Sequence, residues 1–386
     1  MLHVVEQAAG ALLVLAVLAD IFLTVLYARM GTSILANRLA RGIWHLFRAL
    51  SASCGKRRAK VLSFCGPTIL VVLVAGWTLA LAVGAGLFMH PAMGTGIRAS
   101  EGTTQTDVIA AIYTGGASLS MVGSSNFWPQ TDFWRLVFLL NSVIGAAALS
   151  LTLTYLMQIY GALQRRNAFG LGVHFLSGGT SDAAELLAGL GPRGEITAGY
   201  AILATLAQEM TANKESHHFY PALFYFRFDE PAYAVSRFTL VLLDLVTLIK
   251  SSLDDERYGW LKESGAVAQV WQAGLALATT LEDSFVKGGA PGPQPPEHAV
   301  AERWRRRYFA ALQRLRQAGI ATIANEQEGA AAYVALRSCW ERDLTKLARS
   351  MAFDIETLDP AGTHPETIER RPDFRERLRA SPTRWG

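Results

Sequence analysis

The chain has 386 residues, of which 51% are hydrophobic and 18% are charged, and its formal net charge at pH 7 is +4. This composition excludes a disordered chain, a collagen-like chain and a small disulfide scaffold, and it is more apolar than an ordinary cytosolic enzyme. The charge is unevenly distributed, because residues 1–166 carry 12 Lys and Arg against 5 Asp and Glu, whereas residues 167–386 carry a net −3. This division predicts a membrane region followed by a soluble domain.

Three stretches of the first part are apolar enough to cross a bilayer. Residues 7–28 contain one charge, Asp20, and residues 61–97 and 136–164 contain none. Since a bilayer core needs about 20 apolar helical residues, we expect membrane spans near 8–28, 63–90 and 134–162. An acid inside a span is a candidate functional residue. We therefore expect Asp20 either to pair with a base of the loop that follows or to face the interior of an assembly.

The basic residues between the spans predict the orientation of the chain. The 29–60 loop holds eight Lys and Arg and no acid, the 91–133 loop holds Arg98 as its one Lys or Arg, and the third span leads into Arg165 and Arg166. Loops rich in Lys and Arg stay in the cytoplasm. The pattern predicts a multi-pass protein of the plasma or inner membrane with its N-terminus outside and its C-terminal domain in the cytoplasm.

The 29–60 loop has a helical pattern of its own. Leu39, Ile43, Leu46 and Leu50 recur at steps of three and four, and arginines recur on another face. A basic amphipathic helix of this kind lies along the inner headgroups of a membrane. A helix packed on the soluble domain is the alternative.

Residues 107–132, DVIAAIYTGGASLSMVGSSNFWPQTD, separate the second and third spans. Thr106 or Asp107 can cap a short helix that continues to about Ser118. That helix is too short to cross a bilayer and too apolar for an exposed loop, and irregular chain follows it. Such backbone is tolerated at membrane depth only inside protein or along a water-filled path. The pattern favours a re-entrant pore loop over an extracellular hairpin with a surface helix.

From residue 61 to residue 166, the order of outer helix, short helix, irregular loop and inner helix resembles the two-helix pore module of the potassium-channel superfamily. The filter motif of that family, Thr-Val-Gly-Tyr-Gly-Asp, falls on Met121, Val122, Gly123, Ser124, Ser125 and Asn126. Pro129 matches a common proline after the filter. Gly145 stands where many members have a hinge glycine of the inner gate, although close helix packing explains a glycine there equally well.

The resemblance implies a homotetramer, because one module lines about a quarter of such a pore. It also implies passive transport of monovalent cations, potassium above others, with no cofactor. The ion would contact backbone carbonyls from Ser120 to Ser124, and the cytoplasmic domain would gate the pore.

The filter departs from the family motif in ways that bear on selectivity. Met121 lacks the threonine hydroxyl of the innermost ion site. Ser124 is too small to brace the filter as the family tyrosine does, and Ser125 replaces a glycine that adopts positive φ. Asn126 removes a charge from the outer mouth. These changes predict a wider and less selective pore, or a non-conducting membrane sensor or scaffold that recruits a partner through its helical domain.

The C-terminal part is predicted to be helical, because its apolar residues recur at helical spacing. Phe238–Ile249 is apolar apart from Asp244 and too short to span, so a buried core helix is expected. The expected helices are 182–190, 195–213, 231–252, 258–286, 298–318 and 326–351. The predicted divisions are 1–60, an N-terminal membrane helix with the amphipathic helix; 61–166, the pore module; 167–194, a Gly-rich connector; 195–287, a helical domain; 297–360, a C-terminal helical pair; and 361–386, a charged tail.

The fold class predicted overall is all-α, with three transmembrane helices, a re-entrant pore loop and a helical cytoplasmic domain. No nucleophile–base pair, phosphate-binding loop or metal-ligand spacing occurs in the sequence, so we expect neither an enzyme nor a metal site. The run Arg303, Arg305, Arg306 and Arg307 is expected on a solvated helix face, and the aromatic residues of 219–226 in a core or a ligand pocket. A cytoplasmic ligand or partner is possible. Nucleic acid is not expected, because the basic charge marks the inner face of a membrane.

Overall fold

The computed structural model of the chain describes residues 1–27, 35–120, 123, 126–285, 295–354 and 358–359. The chain divides into two compact units, which we call unit 1 (residues 1–50 and 64–161) and unit 2 (residues 51–63 and 162–386). The first elements in chain order are α1 (Leu2–Ile21), α2 (Leu35–Ala52), α3 (Arg58–Ser63), α4 (Cys65–Met89), β1 (Ile97–Ala99), α5 (Val108–Leu119), β2 (Phe127–Pro129) and α6 (Asp132–Leu176).

Three helical stretches among the described residues are long and apolar enough to cross a membrane: His3–Leu26, Arg58–Ala92 and Asp132–Leu176. The second and third contain the predicted spans 63–90 and 134–162, and the first covers residues 8–26 of the predicted span 8–28. The third is longer than expected, because α6 stays helical for 45 residues. A membrane location and a predominantly helical fold follow from these stretches.

Unit 1 is built on close packing between α1 and α4. Its core includes Val17 and Ile21 of α1 and Trp77 and Leu81 of α4, each less than 5% exposed. The two backbones approach closely at a glycine, since a Cβ on Gly10 would lie 2.6 Å from the carbonyl oxygen of Gly84. Small residues allow such approach between membrane helices.

The amphipathic helix α2 belongs to unit 1 through residue 50. Ala36, Ala40 and Trp44 form its buried stripe, whereas the side chains of Leu46 and Leu50 are 56% and 54% exposed. Exposed apolar side chains on a basic helix are what a helix at the membrane surface would show, and the interfacial position stays a prediction.

Unit 2 is a helical bundle around one helix that is buried along nearly its whole length. Its further elements are α7 (Ala183–Leu190), α8 (Gly199–Phe219), α9 (Val235–Ser252), α10 (Asp255–Lys262), α11 (Gly265–Phe285), α12 (His298–Gln317), α13 (Glu326–Ser338) and α14 (Glu341–Ser350). The core helix predicted at 238–249 is confirmed as α9, which packs against α7, α11 and α13. The aromatic residues near 219–226 lie mostly in the core, where Phe224 stacks on Phe285 at 3.9 Å between ring centroids.

Three predicted divisions differ from the structure. The single helix expected at 258–286 is two helices, α10 and α11. The connector expected to begin at residue 167 is helical as far as Leu176. At Gly170 of that helix, a Cβ would lie 2.6 Å from the Ala232 carbonyl oxygen. Glycine at this position therefore leaves room for the helix to contact the backbone at Ala232. Where a C-terminal pair of helices was expected, the structure has three, α12, α13 and α14. They pack on α9 within the same compact unit.

A buried charge network, which we call the Asp244 network, connects four parts of unit 2. Asp244 of α9 accepts hydrogen bonds from Arg307 of α12 and Arg337 of α13, both at 3.0 Å, and from the Tyr333 hydroxyl at 2.6 Å. Arg307 also pairs with Asp182, which caps the N-terminus of α7. Burial alone would raise the pKa of Asp244, but Arg337 and Arg307 together hold it below its ordinary value.

The expectation that the arginine run lies on a solvated face is wrong for Arg307, which is 1% exposed. It falls on the buried stripe of α12 together with Trp304, Tyr308 and Ala311. A charge on such a stripe needs a buried partner, and Asp182 and Asp244 supply it.

Glu282 of α11 is a further buried acid, and neither of its carboxylate oxygens has a hydrogen-bond partner among the residues that the structure describes. Burial, followed by repulsion from Asp343 of α14, raises the pKa of Glu282 to about 7, and Lys346 opposes this increase. Burial also raises the pKa of Asp343. The contact between α11 and α14 therefore contains an acid that titrates near neutral pH.

We expect the free energy of unfolding of unit 2 to decrease as the pH rises from 5 to 8. The folded state binds the Glu282 proton more tightly than the unfolded state, so this stabilisation is complete at acidic pH and is lost as the pH rises through 7. Glu282→Gln should remove the dependence and increase the free energy of unfolding at pH 8 by about 2 kcal/mol. Unfolding midpoints of the full chain at both pH values test this. Asp283→Asn, at the exposed neighbouring position, is the matched control and should retain most of the dependence, because burial is the largest cause of the raised Glu282 pKa and repulsion from Asp283 the smallest.

Candidate functional site

The candidate site is the 107–132 segment together with the parts of α4 and α6 that hold it. Asp107 caps α5, accepting a hydrogen bond from the Ala110 backbone N–H at 3.4 Å. The 12 residues of α5 span about 18 Å, which is well short of a bilayer core. The short capped helix predicted here is therefore confirmed.

The middle of α5 lies directly against the backbone of α4. A Cβ on Gly115 would lie 2.3 Å from the Gly86 nitrogen, and a Cβ on Gly86 would lie 2.6 Å from the Ile112 Cα. Two facing glycines let the helix backbones touch without a side chain between them. This contact fixes the height of α5 along α4.

The C-terminal end of α5 is fastened to α6. The Asn141 amide donates to the Ser118 hydroxyl at 2.9 Å, and that hydroxyl donates to the Gly115 carbonyl at 2.7 Å. One helical turn later on α6, a Cβ on Gly145 would lie 1.8 Å from the Leu119 carbonyl oxygen. The structure thus gives Gly145 a packing role at this contact. Its role as a gating hinge stays a prediction, and α6 is helical on both sides of it.

The strands β1 and β2 form a two-stranded antiparallel sheet, which we call the clip, beside the candidate site. β1 pairs with β2 in the register Ile97 with Pro129 and Ala99 with Phe127, and the Ser100 backbone N–H donates to the Asn126 carbonyl at 2.9 Å. A buried cluster that includes Met89, Ala111 and Trp134 supports the clip. It brings the two ends of the 100–126 stretch together, and the sequence analysis did not predict it.

Of the seven predicted filter residues, the structure describes three: Ser120, Gly123 and Asn126. Met121, Val122, Ser124 and Ser125 lie outside the described residues. The chain leaves helical geometry at Ser120, which has an extended backbone, and Gly123 has φ +75°, a conformation that favours glycine. The Gly123 N–H donates to the Ser120 carbonyl at 3.2 Å. The Asn126 amide is 3.4 Å from the Tyr113 hydroxyl, to which it donates.

Asp20 is placed by an indole group of the neighbouring helix. The Trp77 N–H donates to the Asp20 carboxylate at 2.9 Å, and Asp20 is 8% exposed. The donor of this hydrogen bond is an aromatic ring of α4, which the sequence analysis did not predict. Pairing of Asp20 with a base of the following loop and its position facing the interior of an assembly stay predictions.

A histidine at the other end of α4 connects three elements of unit 1. His90 Nδ1 lies 2.6 Å from the Glu6 carboxylate of α1, and Nε2 lies 3.0 Å from the Thr106 carbonyl just before α5. Both oxygens can accept hydrogen bonds from ring nitrogens of the imidazole. The sequence analysis missed this link because the three residues are far apart in the chain.

These features describe a helical membrane protein that holds a short capped helix between two of its candidate spans. No family model matches the chain, and no solved structure matches it. A curated relative, the uncharacterized membrane protein YdjJ of Bacillus subtilis (strain 168), is 26% identical over 169 residues, which are 43% of this chain and 47% of the relative. The chain therefore matches about half the length of that relative, and the comparison agrees with a membrane location.

Proposed function

We propose that the chain forms a cation-conducting pore from four copies, resembling potassium channels, with residues 120–126 of each copy around a common axis. The observation that carries the proposal is the position of α5. This helix, too short to span, lies between two candidate spans, contacts α4 at Gly115 and α6 at Leu119, and precedes residues 120–126 in the chain.

The electrostatics of α5 support cation passage. The C-terminal end of a helix carries a partial negative charge from its unpaired carbonyls. In this chain that end is Leu119, one residue before the proposed filter. A cation near residues 120–123 would be stabilised by four such helix ends in a tetramer.

The proposed gating element is the part of α6 that belongs to unit 2. Arg166 is 2% exposed and donates to the carbonyls of Leu223 at 2.8 Å and Phe226 at 2.9 Å. Phe169 packs edge-on against Phe238 at 5.0 Å between centroids. Because α6 is one continuous helix, a displacement of these contacts would pull on the inner helix of the pore. In this proposal unit 2 is cytoplasmic and the N-terminus lies outside.

Cation flux into liposomes tests the proposal. Vesicles that contain the purified full chain should take up potassium down its gradient. Discrimination against sodium should be weak, because Met121 and Ser125 replace family filter residues. Asn126→Lys would place four positive charges at the outer mouth and should lower the flux about tenfold.

The matched control is Gln105→Lys, which adds the same charge at an exposed position of the same loop and should leave the flux nearly unchanged. If both variants changed the flux equally, the proposed position of the outer mouth at Asn126 would be contradicted. No flux under any ionic condition would favour the non-conducting sensor or scaffold, the alternative for which the altered filter motif argues.

A further inference from the structure

Unit 1 contains a cavity of about 430 Å³, which we call the α4–α6 cavity. Trp77 and Leu81 of α4 form part of its wall, Leu119 and Ser120 lie at the end of α5, and Ala148 and Leu149 belong to α6. Its volume is within the range of small-molecule sites in proteins. The cavity exists because α5 holds the middle of α4 and α6 apart.

Most side chains in the wall of the cavity are hydrocarbon, its hydroxyls belong to Thr78, Ser120 and Thr152, and no charged side chain is among the described residues that line it. Its Trp77 N–H is directed to Asp20 at 2.9 Å, and the Thr78 hydroxyl donates to the Val74 carbonyl at 3.0 Å. An ordered water needs two to four polar partners. The lining therefore suits an apolar occupant better than water or a polar headgroup.

The cavity lies at membrane depth and has an exposed edge. All of its lining helices belong to candidate spans or to α5. Trp77 and Leu81 are 2% and 4% exposed, whereas Leu149 is 58% exposed. A deep slot with one apolar exposed edge accepts a narrow, flexible chain from the surrounding solvent, which in a bilayer is hydrocarbon.

We propose that the α4–α6 cavity binds one acyl chain of a membrane phospholipid. The bound chain packs against Leu119 and Ser120 and supports the end of α5 where Gly145 and Asn141 fasten it. A phospholipid that inserts a tail here therefore stabilises the base of the 120–126 segment. This site does not depend on ion conduction, and its test measures no flux.

The test uses the full chain in phosphatidylcholine vesicles that contain a phosphatidylcholine with a photoreactive diazirine in one acyl chain. After irradiation, peptide mass spectrometry locates the labelled residues. We expect label on Trp77 and Leu81 in spite of their burial, and on the exposed Leu79. Leu70, which is 2% exposed and does not line the cavity, should stay unlabelled.

A pair of variants separates the cavity from the lipid-facing surface. Ala148→Trp fills the cavity and should abolish the label on Trp77 and Leu81 while the label on Leu79 persists. Ala147→Trp makes the same change one residue earlier, at an exposed position, and should change neither.

Absence of label on Trp77 and Leu81 in the unsubstituted chain, with Leu79 labelled, would overturn the proposal and indicate that a second copy covers the cavity. That result needs no variant to fold. The proposal would also be overturned if Trp77 were labelled to the same extent in Ala148→Trp and in Ala147→Trp.

Discussion

Gly145→Ala should destabilise the chain by about 3 kcal/mol or more, because the new Cβ collides with backbone atoms that cannot move independently. The ideal Cβ lies 1.8 Å from the Leu119 carbonyl oxygen and 2.7 Å from the Leu119 carbonyl carbon. Relief requires α5 and α6 to separate, which also breaks the Asn141–Ser118 hydrogen bond. A large decrease in the thermal unfolding midpoint in detergent, with loss of monodisperse protein, is the expected measurement.

Gly161→Ala is the matched control on the same helix. Beyond the backbone of its own helix, no atom of the described residues lies within 4 Å of a Cβ built on Gly161, and alanine is favoured over glycine in a helix by up to about 1 kcal/mol. This variant should therefore unfold at the same temperature or slightly higher. If Gly145→Ala left the unfolding midpoint unchanged and altered only conduction, glycine would be needed there for bending, and the packing explanation would be wrong.

Asp244→Ala should lower the free energy of unfolding of unit 2 by about 3–5 kcal/mol, because it removes a shared partner from two buried guanidinium groups. Arg307 and Arg337 are both about 1% exposed at the side chain, so water cannot replace the lost carboxylate. The Tyr333 hydroxyl loses its acceptor as well. Denaturant unfolding of the full chain, followed by tryptophan fluorescence, measures this loss.

Asp255→Ala removes the same side chain from an exposed pair. Asp255 contacts Lys262 at 2.7 Å, with its side chain 73% exposed, and exposed pairs contribute at most about 1 kcal/mol. A loss for Asp244→Ala no larger than this control value would contradict the network. Since Asp182 of the same network follows the loop after α6, Asp244→Ala should also make that loop more sensitive to protease.

The features that the sequence predicted are local in the chain. Apolar length marked the three spans, Asp107 marked the start of α5, and the apolar run with Asp244 marked the buried helix α9. Each follows from a few consecutive residues and from the preferences of a helix or a bilayer. The resemblance of residues 121–126 to a filter motif is also local, and it stays a prediction, since four of those residues lie outside the described part of the chain.

The features that the sequence did not predict depend on contacts between distant residues. The strands of the clip have three residues each, too few for an alternating pattern, and about 30 positions separate them. In the sequence, nothing distinguishes Gly86 and Gly115 from other helix glycines. Their role depends on the contact between α4 and α5. Arg307 is different, because its position on the buried stripe of α12, three residues after Trp304, was a signal available in the sequence.

A density map of the full chain in lipid nanodiscs, at side-chain resolution, tests the central claim most directly. The proposed function predicts four copies around one axis, with residues Ser120 to Asn126 of every copy lining that axis and α6 beside it. Another number of copies would contradict the proposal. So would a 120–126 segment that faces lipid or packs away from the axis.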